Sequence, residues 1–280
     1  MRSFILDFIK LTVPEYIPVG ITAMFVGFVY SISPSFSVLN MFLSIICIIA
    51  IIAGYNSFNS IADREIDRIN KPHRPLAIRD SHTVYISLFF FVIAIAIGNY
   101  INPVFFSIIL IAIAISVLYS FPKIHFKRRF LLGTISTTLL YTVLFPLGGW
   151  AIAPSNPPPT YLLVYLFIFG LGIATLKDFE DIVGDSVYGV RTPLSYFGYS
   201  NTIKLIAAIF TVSLIFLIFS IEFGHILPKY FYLIPFTALA FANLYLLNEN
   251  RNTKQGGKAF IFGMAILMGV EICISIIYFL

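Results

Sequence analysis

Two short acidic stretches hold the residues best suited to chemistry. The first is Asn59-Ser60-Ile61-Ala62-Asp63-Arg64-Glu65-Ile66-Asp67, and the second is Lys177-Asp178-Phe179-Glu180-Asp181-Ile182-Val183-Gly184-Asp185. Both contain Asp-x-x-x-Asp. On a helix continuing to about residue 69, Asn56, Asn59, Asp63 and Asp67 fall at i, i+3, i+7 and i+11 and share one face. On a second continuous helix, Asp178, Asp181 and Asp185 fall at i, i+3 and i+7 and do the same. Glu65 and Glu180 point elsewhere, toward neighbouring Arg or Lys. Carboxylates ranged on one stripe repel each other unless a cation sits among them. Donors that are oxygen only select a hard cation. Mg²⁺ uses few carboxylates, keeps several waters and draws its remaining ligands from substrate phosphates. Two facing stripes therefore predict a pocket for a Mg²⁺-bound diphosphate, with Arg74, Lys123, Lys127, Lys177 and Arg191 neutralising the remaining phosphate oxygens. An ordinary solvated loop surface is the plain alternative. Two clusters of one form, at equivalent helix ends, favour a site. His73, His82, His125 and His225 are scattered, and none is given a catalytic role. Cys47 and Cys273 lie in apolar runs and read as small buried hydrophobes.

The elements that must position these stripes are membrane helices. The chain is 59% hydrophobic and 11% charged, against about 25% charged in soluble domains, so it lacks the polar residues for a water-facing skin. A span needs about 20 mostly apolar residues. Nine stretches qualify: 14–31, 36–58, 83–101, 103–121, 130–152, 160–177, 203–222, 229–247 and 259–280. The Ile-rich third and fourth are read as helices, because only helices and closed barrels satisfy the backbone in lipid. Turns are expected at Ser33-Pro34-Ser35, Asn102-Pro103 and Pro157-Pro158-Pro159, and kinks at Pro146 with Gly148-Gly149 and at Pro235. All of the 18 Lys and Arg except Lys229 fall on one side of these spans. The positive-inside rule makes that side cytoplasmic, with the N-terminus inside and the C-terminus outside. Both acidic stretches then lie on the cytoplasmic face, where an apolar helix enters a basic loop. The repeated device suggests two pseudo-symmetric halves. Asp7 and Lys10 interrupt the first residues, so no cleavable signal peptide is expected.

The first motif, with the following Asn70-Lys71-Pro72-His73-Arg74-Pro75-Leu76, resembles the first signature of the UbiA superfamily of intramembrane prenyltransferases. The second, with Gly189-Val190-Arg191-Thr192, resembles its second signature. Tyr119-Ser120 through Lys123 and Lys127 to Gly133 is similar to the loop between the family's fourth and fifth helices. The resemblance covers nearly the whole chain. It implies one all-α transmembrane domain over 1–280, a bundle around a central cavity, and two Mg²⁺ bridged to a prenyl diphosphate. Carried over, the metal-site residues are Asn59, Asp63, Asp67, Asp181 and Asp185, with Asp178 as a further participant. Asp63, Asp67, Asp181 and Asp185 are expected to be catalytic. Ser60 departs from the family, which usually has Asp there; it brings no charge to a metal.

Lys71-Pro72 stands where family members acting on aromatic acids usually carry Arg-Thr. The loop is nearer in style to archaeal lipid-forming members and chlorophyll synthases. This implies geranylgeranyl transfer to the hydroxyl of geranylgeranylglyceryl phosphate in the plasma membrane, with an aromatic quinone precursor or a chlorin as the alternative acceptor. Partners are then a prenyl diphosphate, a lipid phosphate acceptor and membrane lipids; no nucleic acid is expected. A secondary transporter is the rival from another class. It should carry its polar groups near the bilayer midplane, where only Glu271 stands, whereas a prenyl-binding protein without activity should tolerate Asp→Ala at 63 and 181. Glu271 reads as hydrogen-bonded within the bundle, Trp150 as an interface anchor, and Tyr119 and Tyr141 as candidates to face the cavity, with packing or lipid contact as the plainer role.

Overall fold

The computed structural model describes residues 9–31, 37–71 and 80–280, with side chains from 83 onward in the last stretch. The expected turn at 33–35, and His73 and Arg74, lie outside the described residues; of His82 only the backbone is described. Among the described residues every regular element is helical. In chain order these are α1 (Ile17–Phe28), α2 (Val38–Ala62), α3 (Arg64–Asn70), α4 (Asp80–Ile101), α5 (Pro103–Ser120), α6 (Leu132–Trp150), α7 (Thr160–Leu176), α8 (Asp178–Val187), α9 (Pro193–Phe197), α10 (Tyr199–Glu222), α11 (Ile234–Glu249) and α12 (Thr253–Ile277).

Seven of these helices, with α11 counted from Pro228, are long and apolar enough to cross a membrane. The pair α7 and α8, bent by 54°, makes an eighth if taken as one span. The expected first span, 14–31, is built in three pieces: 3₁₀ turns at Pro14–Tyr16 and Val29–Ser31 flank the 12 residues of α1. Large apolar side chains face outward along the long helices, among them Phe89, Val92, Ile215 and Ile261. A helix that is apolar all round belongs in lipid. The chain is thus a multi-pass membrane protein.

Local chemistry explains the joints. Asn102 caps α5 by accepting from the Phe105 amide at 2.9 Å, with Pro103 at the first helical position, where a missing N–H costs nothing. Pro146 does not simply kink α6. A π-helical turn at Leu140–Leu144 precedes it and absorbs the break in the hydrogen-bond ladder. Pro235 is no kink either: it sits in the first turn of α11, just after a 3₁₀ turn at Pro228–Leu233. Its ring therefore starts the helix rather than bending it.

Two apolar cores form. One gathers α7, α10, α11 and α12 around Phe169, Phe210 and Leu217; the other gathers α1, α2, α5 and α6 around Ile51, Phe105 and Phe145. Tyr16 and Tyr141 pack against both. The seam is tight beside them. A Cβ on Gly27 would lie 1.7 Å from the Pro146 carbonyl oxygen, and one on Gly149 would lie 1.9 Å from that of Met24. Only glycine lets α1 and α6 approach so closely, the small-residue packing that replaces a hydrophobic drive in lipid.

Candidate active site

Both acidic motifs sit at helix breaks, not on uninterrupted helices as their spacing suggested. In the first motif, α2 ends at Ala62, Asp63 has φ −100° and ψ 9°, and α3 starts at Arg64. The backbone ladder still runs through the motif: the amides of Asp63, Asp67 and Lys71 donate to the carbonyls of Asn59, Asp63 and Asp67 at 2.9, 2.7 and 2.8 Å. In the second motif, α7 ends at Leu176, and α8 departs at its 54° bend. Gly256 permits that departure, since a Cβ there would meet the Phe179 and Glu180 backbone at 2.6–2.8 Å.

The two short helices are latched together by Asn70. Its side-chain amide donates to the Asp181 carbonyl at 2.9 Å, and its Oδ1 accepts from the Gly184 amide at 2.7 Å. Gly184 has no room for more: a Cβ would lie 2.6 Å from Asn70 Oδ1. Sequence reasoning placed Asn70 in the first signature without assigning it a role.

Beside this latch opens a cavity of about 1130 Å³, counting its mouth. Its polar end is lined by Asn59, Lys127, Arg129, Lys177, Asp178, Asp181, Asp185 and Arg191. Its deep end is lined by Tyr16, Tyr55, Tyr119, Tyr141, Phe260, Met264 and Leu267. Tyr119 and Tyr141 are cavity wall, the alternative to the plainer packing or lipid-facing role, and Tyr16 and Tyr55 were not foreseen. Asp63 and Asp67 are buried at the motif but do not line this cavity; Lys123 is exposed on its loop and does not line it either. Glu65 is exposed and pairs with Arg68 at 2.7 Å.

Charge at the polar end is balanced by ammonium groups. Lys127 Nζ donates to Asp63 Oδ2, while Lys71 and Lys177 stand 3.6 and 3.8 Å from the two oxygens of Asp181. Burial lowers the Lys127 pKa, but Asp63, with Tyr119 and Asp181 behind it, outweighs that and holds the group above the usual lysine range. Burial and Arg128 push His125 below its ordinary value against the pull of Asp63, 4.0 Å away, so the imidazole is neutral at pH 7. Asn59 Oδ1 accepts from Ser120 at 3.0 Å, and Ser60 turns its hydroxyl back to the Ser57 carbonyl.

No three His, Cys, Asp or Glu side chains among the described residues are grouped closely enough to hold an ion unaided. The donor set nevertheless fits Mg²⁺. It is all oxygen, and Mg²⁺ needs one or two carboxylates plus waters and phosphates. Buried Oδ1 of Asp63, Oδ2 of Asp178 and Oδ1 of Asp185 accept no hydrogen bond among the described residues. Cationic nitrogens already stand where the carboxylates converge.

Residues 20–267 match the model of the UbiA prenyltransferase family. The chain belongs to this family. It is 28% identical to a digeranylgeranylglyceryl phosphate synthase of Sulfurisphaera tokodaii, over 64% of this chain and 66% of the relative. It is 29% identical to the bacteriochlorophyll synthase 33 kDa chain of Cereibacter sphaeroides, over 57% and 55%. The matched region thus spans just under two thirds and just over half of those relatives' lengths. The fold is that of a UbiA homologue from Archaeoglobus fulgidus bound to GPP and Mg²⁺, with TM-score 0.77, 18% identity and coverage of 96% and 99%.

Proposed function

We propose that this UbiA-family chain transfers a geranylgeranyl group from its diphosphate to the hydroxyl of geranylgeranylglyceryl phosphate, with Mg²⁺. The observation that carries this is a single cavity, polar and acidic at one end and aromatic at the other. Asn59, Asp63 and Asp67 on one side and Asp178, Asp181 and Asp185 on the other would hold two ions. Bound Mg²⁺ supplies charge neutralisation for the departing diphosphate. Lys127 and Lys177 add fixed positive charge at the same end, and electrostatic stabilisation of developing charge is often the largest catalytic term. As the C1–O bond breaks, the faces of Tyr119 and Tyr141 stabilise the allylic cation, and the apolar wall excludes water. The acceptor hydroxyl oxygen then bonds to C1, and its proton passes to the released diphosphate or to an Asp. So strong an electrophile needs little nucleophile activation, in keeping with the absence of a Ser-His-Asp arrangement in the sequence.

In this reading residues 1–280 form one domain with nine spans, the N-terminus and active site face the cytoplasm, and the membrane is the plasma membrane. Lys71-Pro72 and the Sulfurisphaera tokodaii relative favour the lipid phosphate acceptor. The Cereibacter sphaeroides relative keeps a chlorin or aromatic acceptor as the second reading. A transporter is disfavoured because the charged groups cluster at helix ends.

The test is product formation in detergent from geranylgeranyl diphosphate, Mg²⁺ and separate acceptors: geranylgeranylglyceryl phosphate, 4-hydroxybenzoate and a naphthoate. A diether lipid phosphate lost on adding EDTA is expected. Transfer only to an aromatic acceptor would overturn the acceptor, and no transfer to any acceptor would overturn the enzyme reading.

A further inference from the structure

Four cations line the polar end of the cavity, and they divide by partner. Lys127 is held by Asp63 and Lys177 by Asp181. Arg129 and Arg191 are exposed and make no ion pair among the described residues. The two arginines come from loops that meet. Phe130, next to Arg129, packs with ring centroids 4.9 Å from Tyr196 and 5.5 Å from Phe197, in the helix α9 that starts two residues after Arg191. Both arginines therefore line one cavity from adjoining segments, with no ion-pair partner among the described residues.

Another part of the same cavity wall has a matching character. Thr137 and Thr138 on α6 line the cavity, yet their hydroxyls donate to carbonyls of their own helix, at 3.1–3.2 Å and 2.8 Å. Their oxygens are left with lone pairs to offer. Such a wall accepts hydrogen bonds, which suits a substrate alcohol that must donate one. Two unpaired arginine forks suit a phosphate monoester, which carries about −1.5 to −2 charges at pH 7 and three acceptor oxygens. A lysine is a point charge, whereas each guanidinium offers a planar fork.

We propose that Arg129 and Arg191 form a phosphomonoester subsite for the acceptor, which moves Arg191 from the donor's diphosphate, where its motif placed it, and leaves the donor to the lysines. This rests on the prenyltransferase reading above. The same chemistry would also recognise the phosphate of a bilayer lipid, and the test distinguishes the two.

Arg129→Ala, Arg191→Ala and the double variant are assayed in neutral detergent with and without added phosphatidylglycerol. The expected result is a rise of about 10- to 100-fold in KM for geranylgeranylglyceryl phosphate, the loss of a hydrogen bond to a charged group. KM for geranylgeranyl diphosphate should stay within about twofold of the wild-type value on this subsite separation. Geranylgeranylglycerol, which lacks the phosphate, should show a smaller variant-to-wild-type ratio of acceptor KM than geranylgeranylglyceryl phosphate does. A raised donor KM would overturn the proposal by assigning the arginines to the diphosphate. An unchanged acceptor KM with lost stimulation by phosphatidylglycerol would overturn it by assigning them to the bilayer. Direct binding of geranylgeranylglyceryl phosphate, measured by calorimetry without donor, reads the subsite even if the wild type makes no product. That second failure would count against the catalytic reading, while binding lost in the variants would still support the subsite.

Discussion

Gly184 and Asn70 should behave as one unit. A methyl group added at Gly184 would lie 2.6–2.8 Å from Oδ1, Cγ and Nδ2 of Asn70 and from nothing closer. Overpacking of this kind costs about 1–3 kcal/mol. Asn70→Ala removes two hydrogen bonds, of 2.9 and 2.7 Å, between the helices that carry the two motifs. At about 0.5–1.5 kcal/mol each, that is again about 1–3 kcal/mol. Once Asn70 is truncated, the three atoms that Gly184→Ala would strike are gone. The double variant should therefore be no less stable than Asn70→Ala alone, giving a coupling energy of about 1–3 kcal/mol. Equilibrium unfolding in mixed micelles measures the cycle, and the Mg²⁺ concentration at half-maximal transfer gives a second readout. Both single variants should raise that midpoint, because each shifts one acidic motif against the other. Additive costs in the cycle would show that the contact does not hold the helices. A wild-type Mg²⁺ midpoint in Asn70→Ala would show that the latch has no bearing on the site.

Three further outcomes follow from the same geometry. Asp63→Ala strands the buried Lys127 ammonium, so it should abolish transfer and cost about 3–5 kcal/mol; Asp63→Ala/Lys127→Ala should recover part of the stability and none of the activity, read by micelle unfolding beside product assay. Asp181→Ala should abolish transfer with the helical circular dichroism unchanged, and retention of most activity would sink the metal-site assignment. Glu271 is fully buried on α12 and takes a hydrogen bond from Thr22 at 2.5 Å; Glu271→Gln keeps an acceptor there, so it should leave transfer rates near wild type and stability within about 1 kcal/mol.

How far the sequence could be read depends on which interactions are local. Span positions follow from runs of apolar residues, and the capped joint at Asn102-Pro103 from two neighbouring residues; both are legible without a structure. Pro146 and Pro235 show the limit. The same residue type sits after a π turn in one helix and opens another, and the difference lies in backbone registers several residues away. The acidic stripes were legible as motifs because Asp recurs at helical spacing. Their breaks at Asp63 and Lys177 were not, because each is set by a distant partner: Gly256 lets α8 turn away, and Asn70 ties it to α3. The aromatic wall was hidden for a related reason. Tyr16, Tyr55, Tyr119 and Tyr141 come from four separate segments, and among sixteen tyrosines nothing local marks Tyr16 and Tyr55. A seam between two cores selects Tyr16 and Tyr141, and Gly27 and Gly149 draw that seam tight by bringing α1 against α6. The charged end of the cavity is thus written in short motifs, while its apolar depth is a property of packing. Donor chain length belongs to that depth, so the residues that set it should be sought along the seam, at Met264 and Leu267, and not in either acidic signature.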